Sequence, residues 1–227
     1  RELPTESDDK PRLSDDLMAM RVAALFPAGS WVNLGFGLPT LVSRYVFDRG
    51  IHLHAENGIA NYGPLADPDE VDIRVYNAGT QAVTLLPGAA FFDSADAFMM
   101  ARGGHLDGVV LGSYEVSEHG DFANWYTPRM AGGGIGGAMD LVANTKNVVI
   151  MMRHTTRGGA PRLLRECSLP LTGVGCVAWV MTDLGLFRPT PEGLVIEEIA
   201  PGWTLEEVQA LTEPRLIVGA EFGEVRL

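Results

Sequence analysis

The feature that most restricts the fold of this chain is a series of short runs rich in Val, Ile, Leu and Met. Such runs, without alternating polar residues, are typical of strands buried on both faces. Helical or glycine-rich stretches separate them, so we predict an α/β fold with an open, mixed, mostly parallel sheet and flanking helices. The predicted strands are 31–34, 51–55, 71–76, 108–111, 147–152, 177–182 and 216–219, with a hairpin formed by 184–187 and 194–199.

Polar residues and proline mark the predicted helix ends. Ser14 is suited to cap a helix that begins at the next residue, and Thr204 begins a capping box on a final helix. Pro39 is suited to the first turn of another helix, which we expect to end near Gly50.

The length of 227 residues is sufficient for one sizeable core. We predict a single domain at 13–227 that follows a polar tail at 1–12. No apolar run approaches the roughly 20 residues of a membrane helix, and the N-terminus lacks the apolar core of a signal peptide. We therefore expect a cytoplasmic protein without a membrane span. Cys167 and Cys176 are too few for a disulfide framework, and we expect reduced thiols.

The net charge of −12 argues against a nucleic-acid partner. A phosphate-binding surface needs clustered Lys and Arg, whereas the 17 basic residues of this chain are scattered.

The sequence Ala55-Glu56-Asn57-Gly58 places a carboxylate between a predicted strand and a glycine-containing turn. A strand that ends in a tight turn presents one side chain at a cleft with its backbone held rigid. On this pattern alone, however, a surface glutamate that ends a strand is the expected interpretation of Glu56, because Asn and Gly are common in such turns.

Three other patterns carry alternative chemistry. His52, His54 and Glu56 would share one strand face and could bind Zn²⁺ or Fe²⁺, but we expect these side chains to pack, without a metal. The segment 132–137 matches the G-x-G-x-x-G pattern of dinucleotide sites, but no strand is predicted before it. Ser113 lacks the second glycine of a nucleophile elbow.

Several longer blocks accompany Glu56 along the chain. They are Gly63-Pro64, Asn77-Ala78-Gly79, 83–88, 102–107, 120–125 and 136–142. In this order they resemble the beta subunit of family I CoA-transferases, of the 3-oxoacid (succinyl-CoA:acetoacetate or 3-oxoadipate) type. The resemblance runs from about Asp15 to the C-terminus and implies the mixed α/β fold of that family.

The resemblance also implies a reaction and its residues. Glu56 matches the family's nucleophile, which carries coenzyme A as a glutamyl thioester between an acyl-CoA (succinyl-CoA or acetyl-CoA) and a free acid such as a 3-oxoacid. CoA is a substrate, and no cofactor is expected. Gly136 and Gly137 match the backbone donors to the reacting carbonyl. Consecutive glycines suit this role because their N–H groups can approach a carbonyl closely, and they would equally suit a flexible flap. The expected substrate-binding residues are Asn57, Thr80, Gly35 and Gly37.

One position departs from the family pattern. Many 3-oxoacid transferases have a lysine where this chain has Thr80. The missing charge predicts weaker recognition of dicarboxylic acyl groups.

A second chain is also expected. The sequence corresponds to the beta half of the family's pattern, which implies an alpha subunit in an α2β2 assembly. An acidic chain that binds polyanionic CoA also needs a local basic patch or a basic partner. Two alternatives stay open, an acyl-CoA hydrolase and a non-catalytic ligand-binding module on the same fold.

Overall fold

A computed structural model of the chain describes residues 10–128 and 133–226. The helices are α1 (Asp15–Ala23), α2 (Ser94–Arg102), α3 (Ala138–Val142) and α4 (Leu205–Ala210). The strands are β1 (Trp31–Leu34), β2 (His52–Ala55), β3 (Ile59–Leu65), β4 (Val83–Phe91), β5 (Gly108–Leu111), β6 (Glu115–Ser117), β7 (Phe122–Ala123), β8 (Asn147–Met152), β9 (Leu163–Leu164), β10 (Val177–Thr182), β11 (Gly185–Thr190), β12 (Gly193–Ile199) and β13 (Ile217–Glu224).

Ten of these strands form one mixed sheet in the order β13-β12-β11-β10-β8-β5-β1-β2-β3-β4. The central strands from β10 to β2 are parallel, as are β12 and β13. The remaining neighbours are antiparallel. The predicted open, mostly parallel α/β sheet is therefore confirmed. A second sheet has the order β7-β6-β9.

The central strands are buried because their side chains are apolar on both faces. Every residue of β5 is buried, and so is every residue of β8 after the first. Helix α1 packs against β8 and β10, and α3 packs against β5 and α2. The residues of the buried apolar cluster come from the whole range between Leu13 and Leu216. Among the described residues, no helix is both long enough and apolar enough to span a membrane.

The predicted helix ends have the expected local chemistry. The Ser14 hydroxyl accepts a hydrogen bond from the Leu17 N–H, and Thr204 forms a complete capping box with Glu207. The segment after Gly37 has Pro39 in its first turn, but it forms two 3₁₀ helices, Leu38–Tyr45 and Phe47–Arg49, in place of one α-helix. The second ends at Arg49 with Gly50 as its C-cap, so the predicted helix end near Gly50 is confirmed.

The prediction of a strand at 71–76 is wrong. The Asp72 carboxylate accepts hydrogen bonds from the backbone and side chain of Arg74, and the Asp72 carbonyl accepts one from Val75. These bonds hold a turn, and only Tyr76 makes an isolated bridge, to Ala82. Beyond β2 the sheet instead continues with β3 and then β4, which were not predicted because glycine and proline interrupt both of them.

Other boundaries differ less. The predicted hairpin is confirmed as β11 and β12, joined by a two-residue turn. The predicted strand 216–219 is the beginning of the longer β13.

The turn between β2 and β3 is clamped at Gly58. Its backbone has a φ of 108°, its N–H donates to the Ala55 carbonyl over 3.0 Å, and its own carbonyl accepts from the Phe92 N–H over 3.0 Å. A Cβ atom at this position would lie 2.1 Å from the Phe92 oxygen. Only glycine fits this turn, which holds Glu56 two residues earlier.

The clamp predicts that Gly58→Ala destabilises the chain more than Gly29→Ala. Gly29 has a similar φ of 86°, but its Cβ would meet nothing within 4 Å. We expect a loss of about 1 kcal/mol of unfolding free energy for Gly29→Ala, from the backbone conformation alone. Gly58→Ala should lose more than about 3 kcal/mol, because the Phe92 backbone must also move. Urea unfolding of both variants measures the difference, and equal losses would contradict the clamp.

Candidate active site

A cleft of about 790 Å³ opens at the carboxyl ends of the parallel strands. Gly35 follows β1, Glu56 follows β2, Gly112 follows β5 and Arg153 follows β8, and all four residues line it. In open α/β sheets, ligands bind at this edge, because it gathers the loops of several strands.

Five of the seven predicted site residues line this cleft, namely Glu56, Gly35, Gly37, Gly136 and Gly137. The other two are exposed and do not line it. The Asn57 amide donates to the Tyr76 carbonyl over 2.8 Å, so it braces the β2–β3 turn. Thr80 has a φ of 59°, in a tight turn closed by its N–H and the Asn77 carbonyl. A β-branched residue in this left-handed conformation is strained.

Glu56 has one anchored oxygen and one available oxygen. The buried Asn33 amide donates to Glu56 Oε2 over 2.9 Å. Glu56 Oε1 has no hydrogen-bond partner in the described part of the chain. An ionised carboxylate held in this way presents a fixed nucleophilic oxygen to the cleft.

Asn33 also fixes the state of His54. The same amide nitrogen lies 3.1 Å from His54 Nδ1, and because an amide N–H only donates, Nδ1 accepts and the ring proton is on Nε2. The reverse amide orientation would place an oxygen against the Glu56 carboxylate. Burial lowers the pKa of His54 to about 4, so its ring is neutral at pH 7.

Aromatic groups pack around the strand that carries Glu56. The His54 ring stacks on Phe92 with 5.9 Å between ring centroids. Burial raises the pKa of Tyr62 above its usual value, and the nearby Glu56 charge acts in the same direction.

His52 does not join this group. Its ring stacks on Trp31 at 4.8 Å, and its Nδ1 lies 2.9 Å from Asn61 Oδ1. Within residues 10–128 and 133–226, no group of three or more His, Cys, Asp or Glu is arranged to hold a metal ion. Packing accounts for both histidines of the pattern.

Gly136 and Gly137 bring unused backbone donors to the cleft. Neither N–H donates to another group among the described residues. A Cβ on Gly137 would lie 2.4 Å from the Phe98 ring, so α2 and this loop approach closely only because the residue is glycine. Gly132, the first residue of the dinucleotide pattern, lies outside the described residues, and residues 124–128 before it form no strand.

The other nucleophile candidates are occupied or lie elsewhere. Ser113 lines the cleft, but its hydroxyl lies 2.7 and 2.9 Å from two backbone carbonyl oxygens. Burial raises the pKa of Cys167 to about 12 and that of Cys176 to about 11, so both thiols stay protonated at pH 7.

Sequence reasoning missed three polar residues of the site, Asn33, Arg153 and Arg162. Asn33 had a readable signal, because an asparagine within the apolar run Trp31-Val32-Asn33-Leu34 is a buried polar group that needs a partner. The two arginines lie more than 95 residues from Glu56 along the chain, and no local pattern marks them.

Comparison with known proteins identifies the family. The family model described as coenzyme A transferase matches residues 16–211. The chain belongs to the coenzyme A transferase family. It is 48% identical over 207 residues to the B subunit of 3-oxoadipate CoA-transferase from Pseudomonas putida, with 91% of this chain and 97% of the relative covered. It is 44% identical over 207 residues to the B subunit of succinyl-CoA:3-ketoacid coenzyme A transferase from Helicobacter pylori, with the same coverage.

A solved structure of another CoA transferase has a similar fold. The acyl-CoA transferase YdiF of Escherichia coli O157:H7 aligns with a TM-score of 0.75 at 22% identity. The alignment covers 96% of this chain but only 44% of that longer protein. These comparisons confirm the resemblance to the B subunits of 3-oxoacid CoA-transferases and the predicted fold.

The Asn33–Glu56 contact predicts a shifted pH profile for Asn33→Asp. Two carboxylates within hydrogen-bond distance share a proton near neutral pH, so the ionised nucleophile would be depleted. We expect kcat/KM of the active enzyme at pH 7 to fall by at least about tenfold and to recover as the pH rises. Rate profiles between about pH 6 and 9 test this.

The matched control is Asn147→Asp, the same chemical change at an exposed asparagine that does not line the cleft. Its profile should follow that of the unmodified enzyme. Superimposable profiles for all three proteins would show that Asn33 does not govern the ionisation of the nucleophile.

Proposed function

We propose that this chain carries the nucleophile, Glu56, of an enzyme that transfers coenzyme A from an acyl-CoA to a free carboxylic acid. The observation that carries the proposal is the Glu56 carboxylate, anchored through one oxygen, in the same cleft as two unused backbone N–H groups. A nucleophile and an oxyanion site together are what acyl transfer requires.

The reaction proceeds by exchange at two carbonyl groups. Glu56 Oε1 attacks the carbonyl carbon of the thioester. The C–S bond then breaks, which releases CoA as the thiolate and leaves an acyl-glutamyl anhydride on the enzyme. The thiolate then attacks the glutamyl carbonyl, which releases the first acid and leaves CoA on Glu56 as a thioester. The second acid reverses both steps and departs as the new acyl-CoA. The thioester energy is conserved throughout, provided that water does not attack the intermediates.

The remaining residues of the cleft support these steps. The Gly136 and Gly137 N–H groups stabilise each tetrahedral oxyanion, a contribution that is typically worth on the order of 10²–10³ in rate per donor. Gly35 and Gly37 line the cleft without side chains of their own, which leaves room for the thioester. Every step is a substitution at a carbonyl carbon without a change in oxidation state, so the proposed reaction needs no metal or redox cofactor.

The substrates follow from the relatives and the reaction. The names of the two bacterial relatives include 3-oxoadipate, succinyl-CoA and a 3-ketoacid. We infer that this chain acts with succinyl-CoA or acetyl-CoA as the donor and a 3-oxoacid as the acceptor. A hydrolase would use the same Glu56 with water as acceptor, and the products distinguish the two: transfer yields a new acyl-CoA, whereas hydrolysis yields free CoA.

We also propose that the chain works with an alpha subunit, as an α2β2 assembly in the cytoplasm. Both bacterial relatives are named as B subunits, and the chain matches less than half of the E. coli relative. Phe36 beside the cleft and Ile135 near its rim are 78% and 70% exposed, which suits a surface that another chain or the CoA arm covers. A partner would also supply the basic groups that a chain of charge −12 lacks for a polyanionic substrate.

Glu56 should become covalently modified during turnover. We expect incubation of the complex with acyl-CoA, followed by borohydride or hydroxylamine, to mark Glu56 in peptide mass spectra. Glu56→Ala should abolish transfer. Glu56→Asp should lower the rate by about 10², because the carboxylate is withdrawn by one methylene.

The control is Glu70→Asp, which shortens an exposed glutamate outside the cleft and should leave transfer unchanged. Marking of another carboxylate, or an unmarked Glu56 during active exchange, would refute the assignment.

The chain alone should be inactive, and mixing or co-expression with its alpha subunit should restore transfer, because CoA binding is incomplete without the partner. Size-exclusion chromatography with light scattering gives the stoichiometry, and an α2β2 mass is expected. Robust transfer by the purified single chain would disprove the requirement for a partner.

A further inference from the structure

The cleft contains a guanidinium group that the chain itself does not neutralise. The Arg162 N–H donates to the His154 carbonyl over 3.1 Å, which places the residue beside the loop after β8, and its side chain lines the cleft. Its Nε is buried and has no hydrogen-bond partner. Among residues 10–128 and 133–226, no carboxylate forms a salt bridge with it.

The nearby carboxylates are committed to other arginines. Asp183 Oδ2 lies 3.4 Å from Arg12 and 3.8 Å from Arg153. Arg153 is also paired with Asp15 at 2.5 Å. Arg12 and Arg153 thus occupy Asp183 and Asp15, and among the described residues Arg162 has no ion-pair partner.

This arrangement favours an anion in the cleft. Burial lowers the pKa of Arg162, while Asp183 and Tyr114 act in the opposite direction. An arginine stays charged at neutral pH nevertheless, so the half-buried cation has lost part of its hydration without gaining a counter-ion. A planar guanidinium matches a carboxylate through two parallel hydrogen bonds, which would compensate for that loss.

Glu56 and Arg162 reach the same cleft from different segments. Glu56 follows β2, whereas Arg162 directly precedes β9, and its carbonyl accepts a hydrogen bond from the Val116 N–H of β6. A substrate in this cleft therefore lies between a nucleophile and a cation that are carried by different sheets.

We propose that Arg162 binds the remote carboxylate of a dicarboxylic acyl group, such as succinyl, while Glu56 reacts at the thioester end. This inference rests on the proposed function of Glu56. Arg162 would then supply the positive charge that a lysine at position 80 would otherwise have provided. The chain therefore selects dicarboxylic acyl groups despite the absence of a lysine at position 80.

The phosphates of CoA are a second source of negative charge, and donor selectivity separates the two sources. Succinyl-CoA and acetyl-CoA carry the same CoA and differ in the remote carboxylate. A contact with a phosphate would affect both donors equally, whereas a contact with the carboxylate affects only succinyl-CoA.

The test measures kcat/KM for both donors with one acceptor acid, using the complex with the alpha subunit. In Arg162→Gln, the ratio of kcat/KM for succinyl-CoA to that for acetyl-CoA should fall about ten- to a hundredfold, as expected for loss of a charged hydrogen-bonded contact. Arg162→Lys keeps the charge without the planar fork and should lose less of the ratio. The control Arg165→Gln removes an exposed arginine that does not line the cleft and should leave the ratio and both rates unchanged.

An unchanged ratio in Arg162→Gln, whether both rates fall together or neither falls, overturns the inference. If that variant does not assemble, Arg162→Lys decides, since a ratio equal to that of the unmodified enzyme also overturns it. A failure of the proposed function has a different signature, in which the unmodified complex exchanges no CoA and leaves Glu56 unmarked.

Discussion

The hydrogen bond from the buried Asn33 amide to Glu56 depends on the parallel pairing of β1 with β2. This pairing places Asn33 beside His54, and the strand direction carries Glu56 to the same edge two residues later. A buried polar side chain requires partners, and both amide hydrogens of Asn33 have them, although its buried Oδ1 has none among the described residues. The sheet register thus determines the position of the reacting carboxylate, and the side chain's own flexibility contributes little.

The rest of the cleft follows from the way parallel strands end. Their carboxyl ends meet at one edge, so residues far apart in sequence, from the loop after β1 to the loop after β8, meet there without a special motif. Antiparallel strands continue the sheet on both sides of this parallel centre. On the β2 side, the Gly58 turn couples the nucleophile to the strand that leads away from it.

The sequence predicted those parts of the molecule that local chemistry determines. The strands 108–111, 147–152 and 177–182 match the observed bounds, because burial on both faces requires continuous apolar runs. The glycine- and proline-interrupted strands β3 and β4 escaped prediction because their pairing partners, and not their own residues, hold them extended. The apolar content of 71–76 indicated a strand that the Asp72 turn prevents.

The candidate site divides in the same way. Glu56 and the glycines that line the cleft lie in recognisable local patterns. Arg162 matters because Asp183 is already shared by Arg12 and Arg153, an arrangement that exists only after three distant segments come together. Asn57 and Thr80 show the converse, since their positions in the motif gave no indication that their side chains brace or strain neighbouring turns.

The neutral state of His54 has a consequence for the enzyme in a cell. Burial lowers its pKa to about 4, so this imidazole, two residues before Glu56, stays largely neutral as the pH varies around 7. A solvated histidine at the same position would change its charge over this range and alter the field at the carboxylate. Burial of His54 against Phe92 therefore makes the environment of Glu56 less sensitive to pH.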